Sequence, residues 1–306
     1  MSLRAKDLLS TRDLGREQIE EIFALTDQMS AVIDSGDKKR PDLTGRTVLN
    51  LFYENSTRTR MSFELAAKYL GANAANVPVS QSSVAKGENL IDTGRNLEAM
   101  GTDVIVIRHS MAGAPHLLAQ NLRCSVVNAG DGMNEHPTQA LLDLYTMRRH
   151  KGRIEGLKVA ILGDILHSRV ARSNLWALPT MGARVTLAGP ATMMPRDIEK
   201  TGARVLTDVR EAVRGADVVM VLRIQLERQK SGLFPSVSEY SDEFGVDNKV
   251  LSLAAPGALL MHPGPVNRGL ELMSEAMDGP HSVILDQVTN GTALRMAILS
   301  MLAGRK

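Results

Sequence analysis

The chain repeatedly switches between short runs that are apolar at almost every position and longer stretches with helical periodicity. The apolar runs are Thr47 to Tyr53, Asp103 to Arg108, Ser125 to Asn128, Lys158 to Leu162, Arg184 to Ala188 and Asp217 to Leu222. Leu259 to Met261 and Ser282 to Leu285 complete the expected strands. Helical spacing marks Ile19 to Ile33, Arg58 to Leu70, Asn89 to Met100, Pro137 to Arg149 and Ser168 to Leu178. Asp208 is placed to cap a short helix over Val209 to Val213, and a last apolar helix is expected over Thr292 to Leu302. Strands apolar on both faces and separated by helices form parallel sheets covered on both sides. The expected fold class is therefore α/β, with two sheets of similar size. The polar stretch Arg148 to Gly156 is the best boundary between them.

Charge and length narrow the function. The 306 residues suffice for two domains. A net charge of +2, from 36 basic and 34 acidic side chains, argues against a general nucleic-acid binder. No apolar run approaches the ~18 residues of a membrane span. Met1 to Gln18 carries charges throughout, unlike a signal peptide. The one cysteine, Cys124, excludes an internal disulfide and a cysteine-based zinc cluster, and reads as a small buried hydrophobe. A reducing cytoplasm is the expected setting.

In such folds function gathers where strands end. After the first strand comes Glu54-Asn55-Ser56-Thr57-Arg58-Thr59-Arg60. A strand running into a hydroxyl-rich helix start offers backbone N–H groups and the helix dipole to an anion. Capping needs one hydroxyl; three within four positions, with arginine between, point to phosphate. No G-x-x-x-x-G-K-[ST] loop occurs. Gly163-Asp164 lacks the further glycines of a dinucleotide turn, so no nicotinamide cofactor is expected.

Other strand ends repeat the theme. Arg108-His109 closes one strand, and His136-Pro137-Thr138-Gln139 opens a helix after a glycine-bearing loop. His167-Ser168-Arg169, Arg223-Ile224-Gln225 and His262-Pro263-Gly264-Pro265 follow three more. Four arginines at such positions, Arg58, Arg108, Arg169 and Arg223, suit substrates with several negative charges. There is no G-x-S-x-G elbow, no plausible cysteine nucleophile and no metal-ligand cluster, so metal and cofactor are both expected to be absent. Direct transfer by orientation and charge stabilisation is the expected chemistry.

Ser56-Thr57-Arg58-Thr59-Arg60 with His136-Pro137-Thr138-Gln139 resembles the carbamoyltransferases, and the likeness runs through the whole chain. Members acting on ornithine carry His-Cys-Leu-Pro and Ser-Met-Gly loops. Here the loop is His262-Pro263-Gly264-Pro265-Val266-Asn267-Arg268, and Arg223-Ile224-Gln225 stands where a dicarboxylate acceptor would need a cation. The resemblance implies carbamoyl transfer from carbamoyl phosphate to L-aspartate, in pyrimidine biosynthesis, without a covalent intermediate. It implies a carbamoyl phosphate-binding domain over 1–147 plus 289–306, and an aspartate-binding domain over 148–288. The C-terminal helix would return to the first domain.

Residue roles follow from the same resemblance. Ser56, Thr57, Arg58 and Thr59 are expected on the phosphate, with Arg108 assisting. His136, with Thr59 and Arg108, is expected to polarise the carbamoyl oxygen, and Gln139 to orient the amide. Arg169 and Arg223 are expected on the aspartate carboxylates with Gln225 beside them. Gly264 and Pro265 would offer carbonyls to the reacting nitrogens. Ser82-Ser83-Val84-Ala85-Lys86-Gly87-Glu88 looks like a mobile loop whose Ser82 and Lys86 reach a neighbouring subunit's site, which implies a homotrimer with shared sites. Glu54 is expected to bridge to Arg169 and Arg228. Regulatory chains or a dihydroorotase remain open as further partners; nucleic acid and membrane are not expected.

Two departures from the family pattern are small. Ser110 follows Arg108-His109 where proline is common, and Gly264 replaces a leucine whose contact would be through backbone. Two other readings stay in view: transfer to ornithine or another acceptor, and a non-catalytic paralogue. The second would be expected to lose charged site residues, and all of them are present.

Overall fold

The computed structural model describes residues 5–78, 88–225 and 236–303. The chain divides into two units, Met1–Leu142 with Val288–Lys306, and Asp143–Gln287.

In the first unit, α1 (Arg16–Asp34) leads to β1 (Thr47–Phe52), α2 (Thr57–Tyr69) and β2 (Asn73–Pro78). Then come α3 (Leu90–Ala99), β3 (Val104–His109), α4 (Ala114–Asn121), β4 (Ser125–Asp131) and α5 (Pro137–Lys151), whose residues from Asp143 onward belong to the second unit. The sheet order is β2-β1-β3-β4, and every pairing is parallel. β4 is buried at all seven positions and β3 at its first four. Such strands cannot alternate inward and outward residues and need helices on both faces. Leu49, Leu51, Ile105, Ile107 and Val126 pack with Leu118 of α4 and with Leu122 just after it to fill one face. Leu8 adds a parallel bridge to Val127 at the outer edge of β4.

The second unit holds β5 (Lys158–Leu162), α6 (Arg169–Thr180), β6 (Arg184–Ala188), β7 (Arg204–Leu206), α7 (Val209–Val213) and β8 (Val218–Val221). It continues through α8 (Val237–Phe244), α9 (Asn248–Leu251), β9 (Leu259–Met261) and α10 (Ser274–Met277). Its sheet runs β7-β6-β5-β8-β9, again parallel throughout. As expected, Asp208 caps α7, its carboxylate accepting from the N–H of Arg210 at 2.7 Å and of Glu211 at 3.3 Å. The core joins Ala160, Leu162, Val219 and Val221 to Ala212, Val213 and Val250.

The last helix, α11 (Ile284–Ala303), begins eight residues before the expected Thr292. Its residues from Val288 onward belong to the first unit. Ser282 to Leu285 is not a strand. Ser282 makes an isolated bridge to Leu260, and the helix starts at Ile284. A four-residue apolar run does not distinguish a strand from a buried helix start. Here Ile284 is buried while Leu285 is 78% exposed, as a helix end allows. Asn290-Gly291 resembles a break but lies inside the helix. A Cβ at Gly291 would meet the Arg295 guanidinium at 2.7 Å and Leu142 at 3.1 Å. Among the described residues no helix is long and apolar enough to cross a membrane.

Candidate active site

Strand register sets the first unit's site. Phe52 of β1 pairs with Arg108 of β3, and His109 of β3 pairs with Asp131 of β4. The Tyr53 N–H donates to the Arg108 carbonyl at 2.8 Å, and the Gly132 N–H donates to the His109 carbonyl at 2.8 Å. Three segments therefore start side by side along one sheet edge: Glu54 to Thr59, Arg108 with His109, and Asp131 to His136.

Ser56 occupies the N-cap of α2 with an extended backbone, and its side chain makes no cap bond to the helix. Thr57 and Arg58 are exposed, whereas Thr59 is buried. The first-turn N–H groups of α2 thus lie beside two further hydroxyls and a guanidinium. Arg108 is mostly buried, with its Nε 3.3 Å from Glu54 Oε2. Glu54 therefore has a partner inside the first unit, which the sequence reading missed. Its expected partner Arg228 lies outside the described residues.

His109 is the neutral neighbour in this group. Burial lowers its imidazole below the usual range, and the nearby carboxylates of Glu54 and Asp131 oppose that shift. Its Nδ1 accepts the Met111 N–H at 2.9 Å, and its ring lies 4.5 Å from Tyr53. The cation of this strand end is Arg108.

His136 is buried immediately before α5, and its carbonyl accepts the N–H of Gln139 at 3.0 Å and of Ala140 at 3.2 Å. Proline at the first helical position leaves no unused N–H there, as the sequence predicts. Gln139 is buried one turn on. Ser82 and Lys86 lie outside the described residues.

The second unit repeats the layout. β5, β8 and β9 are adjacent, with Leu162 paired to Val221 and Met220 to Met261. Arg169 begins α6 and is buried. Ser168 caps that helix, accepting the Ala171 N–H at 3.1 Å. His167 Nδ1 lies 2.9 Å from Oδ1 of the fully buried Asp164, a pairing not foreseen from the sequence. Gln225 Nε2 donates to the His167 carbonyl at 3.1 Å, and Asn267 Nδ2 donates to the Ile224 carbonyl at 3.4 Å. These bonds bring Arg169, Arg223, Gln225 and the Gly264-Pro265 loop to one end of one sheet. Gly264-Pro265 is a cis peptide, and Gly264 has φ +67°.

One unit thus offers an anion cradle of hydroxyls, helix N–H groups and arginines beside a buried imidazole. The other offers two arginines and a carboxamide near a proline-bounded loop. The first set suits a phosphorylated group and the second an anionic one.

Comparison with known proteins agrees. Residues 6–149 match the carbamoyl-P binding domain model of aspartate/ornithine carbamoyltransferase, and residues 155–302 match its Asp/Orn binding domain model. The aspartate carbamoyltransferase catalytic subunit of Ruminiclostridium cellulolyticum is 60% identical over 305 residues, spanning 100% of this chain and 97% of that one. The crystal structure of Trypanosoma cruzi aspartate transcarbamoylase with carbamoyl phosphate and aspartate superposes with TM-score 0.89 at 31% identity. That match covers 98% of this chain and 97% of the other. Ornithine carbamoyltransferase from Pyrococcus furiosus gives TM-score 0.88 at 30% identity, covering 99% of both chains. The chain belongs to the aspartate/ornithine carbamoyltransferase family.

Proposed function

We propose that this chain transfers the carbamoyl group of carbamoyl phosphate to the amine of L-aspartate. The products are N-carbamoyl-L-aspartate and phosphate, and the reaction serves pyrimidine biosynthesis. The fold alone does not choose the acceptor, because an ornithine enzyme superposes about as well as an aspartate enzyme. The observation that carries the choice is the acceptor-side residue set. Arg169 and Arg223 favour a dicarboxylate and would repel the side-chain ammonium of ornithine. The 60% identity to a relative named for aspartate points the same way.

In this reading residues 1–147 plus 289–306 serve carbamoyl phosphate and residues 148–288 serve aspartate. Ser56, Thr57, Arg58 and Thr59 hold the phosphate, with Ser82 of a neighbouring subunit. Gln139 orients the carbamoyl amide. Arg169, Arg223 and Gln225 hold aspartate, assisted by Lys86 from the neighbour, while Gly264 and Pro265 offer carbonyls to the reacting nitrogens. The neutral amine attacks the carbamoyl carbon and forms a tetrahedral transition state. His136, Thr59 and Arg108 stabilise the oxygen that gains charge. The C–O bond to phosphate then breaks, and the departing phosphate takes the amine proton. Losing one donor to such an oxygen typically costs on the order of 100- to 1,000-fold in rate. The assembly is a homotrimer with shared sites in the cytoplasm.

The test is turnover of carbamoyl phosphate with L-aspartate or L-ornithine, following carbamoylated product and phosphate. Turnover with aspartate alone is expected. Turnover with ornithine alone would keep the phosphate half and overturn the acceptor assignment. No turnover with either, from folded protein, would favour a non-catalytic role.

A further inference from the structure

Residues 6–11 run along the open edge of β4. The Leu8 N–H donates to the Val126 carbonyl at 3.0 Å, and the Leu8 carbonyl accepts the Asn128 N–H at 2.9 Å. Asn128 Nδ2 donates to the Leu9 carbonyl at 2.9 Å, and the Val126 N–H donates to Asp7 Oδ1 at 2.8 Å. Lys6 Nζ reaches the carbonyls of Ala119, Leu122 and Cys124 at 3.1, 2.8 and 3.2 Å. The strap is therefore fixed in register against a buried strand.

It delivers two hydroxyls to one buried carboxylate, that of Glu135. Ser10 Oγ donates to Glu135 Oε1. Thr11 gives Oε2 two bonds, from its N–H at 2.9 Å and from Oγ1 at 2.8 Å. Glu135 is 4% exposed and Thr11 fully buried. A carboxylate so enclosed is tolerated only when its acceptor sites are filled, and here the strap supplies three of the bonds. The backbone of Glu135 is held as well. Its N–H donates to Asp131 Oδ1 at 3.0 Å, and its carbonyl accepts the Asp131 N–H at 3.1 Å. The next residue is His136.

We propose that Glu135, gripped by Ser10 and Thr11, is a positioning residue that fixes the His136 imidazole for the transfer step. The N-terminal strap thereby becomes part of the catalytic support. The proposal rests on reading His136 as the group that polarises the carbamoyl oxygen. A small displacement of such a group weakens transition-state stabilisation while leaving ground-state binding largely intact. The loss therefore falls on kcat.

The experiment compares Glu135→Leu, Glu135→Gln, Thr11→Val, Thr11→Ser, His136→Ala and the double variant Glu135→Leu/His136→Ala. kcat and KM for carbamoyl phosphate are measured, with thermal melting as a folding control. Glu135→Leu is expected to lower kcat about 30-fold with KM changed less than about threefold, and Glu135→Gln to recover most of it. In the His136→Ala background Glu135→Leu should cost almost nothing more, because both changes remove one interaction. Thr11→Val should lower kcat about fivefold, with recovery in Thr11→Ser. Full kcat in Glu135→Leu, or a loss that adds completely to that of His136→Ala, overturns the proposal. If Glu135→Leu does not fold, Thr11→Val decides alone: a lower melting temperature with unchanged kcat means a purely structural strap. Unchanged kcat in His136→Ala itself would instead remove the role assigned to His136.

Discussion

The Gly264 N–H donates to Nδ1 of His262 at 2.7 Å. Nδ1 must hold a lone pair to accept, so the proton of the neutral ring sits on Nε2. Nε2 lies 3.3 Å from Oε1 of Glu271, with both side chains fully buried. Glu271 Oε1 also accepts the Asn267 N–H at 2.6 Å, and the Gln287 side chain accepts the His262 N–H at 2.9 Å. His262 thus sets the path of the loop that carries Gly264 and Pro265. His262→Leu is expected to raise KM for aspartate about tenfold, since a loop group in the wrong place loses its contact. Binding of inorganic phosphate, which the proposed function places on the first unit, should be unchanged by calorimetry. Equal weakening of both ligands would mean that His262 supports the whole chain and not this loop.

Arg223 tests the acceptor assignment directly. Arg223→Leu removes one cation from the proposed dicarboxylate site and is expected to raise KM for aspartate on the order of 100-fold. Gln225 is anchored to the His167 carbonyl at 3.1 Å, so the neighbouring backbone should hold. Steady-state kinetics with each substrate varied gives the answer. A normal KM for aspartate would dismiss Arg223 as a carboxylate ligand.

The positions of four candidate arginines were legible because each follows an apolar run. Arg58, Arg108, Arg169 and Arg223 stand at strand ends, or helix starts just beyond them, that the hydrophobic pattern alone locates. The partners of buried Glu135 were not legible. Ser10 and Thr11 lie 125 and 124 residues from the carboxylate they hold, a separation that no local pattern encodes. Strand β2, Asn-Ala-Ala-Asn-Val-Pro, has no apolar run. It is an edge strand made by pairing with β1, with Asn50 Nδ2 donating to Asn76 Oδ1 at 3.1 Å. The four-residue helices α9 and α10 are set by tertiary packing, since pieces this short have little intrinsic stability.

Subunit sharing can be tested by complementation. In the proposed function Arg58→Ala would disable the phosphate cradle, whereas Lys86→Ala would disable only what a chain lends to its neighbour. Mixing the two inactive proteins under conditions of subunit exchange is expected to restore activity, because hybrids of the proposed trimer would contain an intact site. Exchange demonstrated by mass, with no activity regained, would rule out Lys86 acting across an interface.

Cys124 should be chemically quiet. Burial, with the Glu98 carboxylate close by, pushes its thiol up to about 12. Thiolate is the reactive form, and a rise from 9.0 to about 12 leaves roughly 1,000-fold less of it at a given pH. Alkylation at pH 8 is expected to be slower than in the unfolded chain by about that factor. Comparable rates in native and denatured protein would contradict this environment.

Gly189 links the fold to the proposed acceptor site. A Cβ there would lie 2.3 Å from the carbonyl oxygen of Gly163, a backbone atom that no side-chain rotation can move aside. Gly163 is itself held, since its N–H donates to the Ala188 carbonyl at 2.8 Å. Its φ of +115° permits little other than glycine. Relief must therefore come from shifting the β5 turn, which leads through Asp164 and His167 to Arg169. Gly189→Ala is expected to destabilise the protein by about 3 kcal/mol, read from the urea midpoint at unchanged slope. Folded variant should also show a raised KM for aspartate with phosphate binding intact, because the displaced turn leads into α6 and its first residue, the proposed aspartate ligand Arg169. Stability lost with KM for aspartate unchanged would show that the turn absorbs the clash before it reaches α6. Neither effect would mean that β5 and β6 separate more readily than their ladder implies.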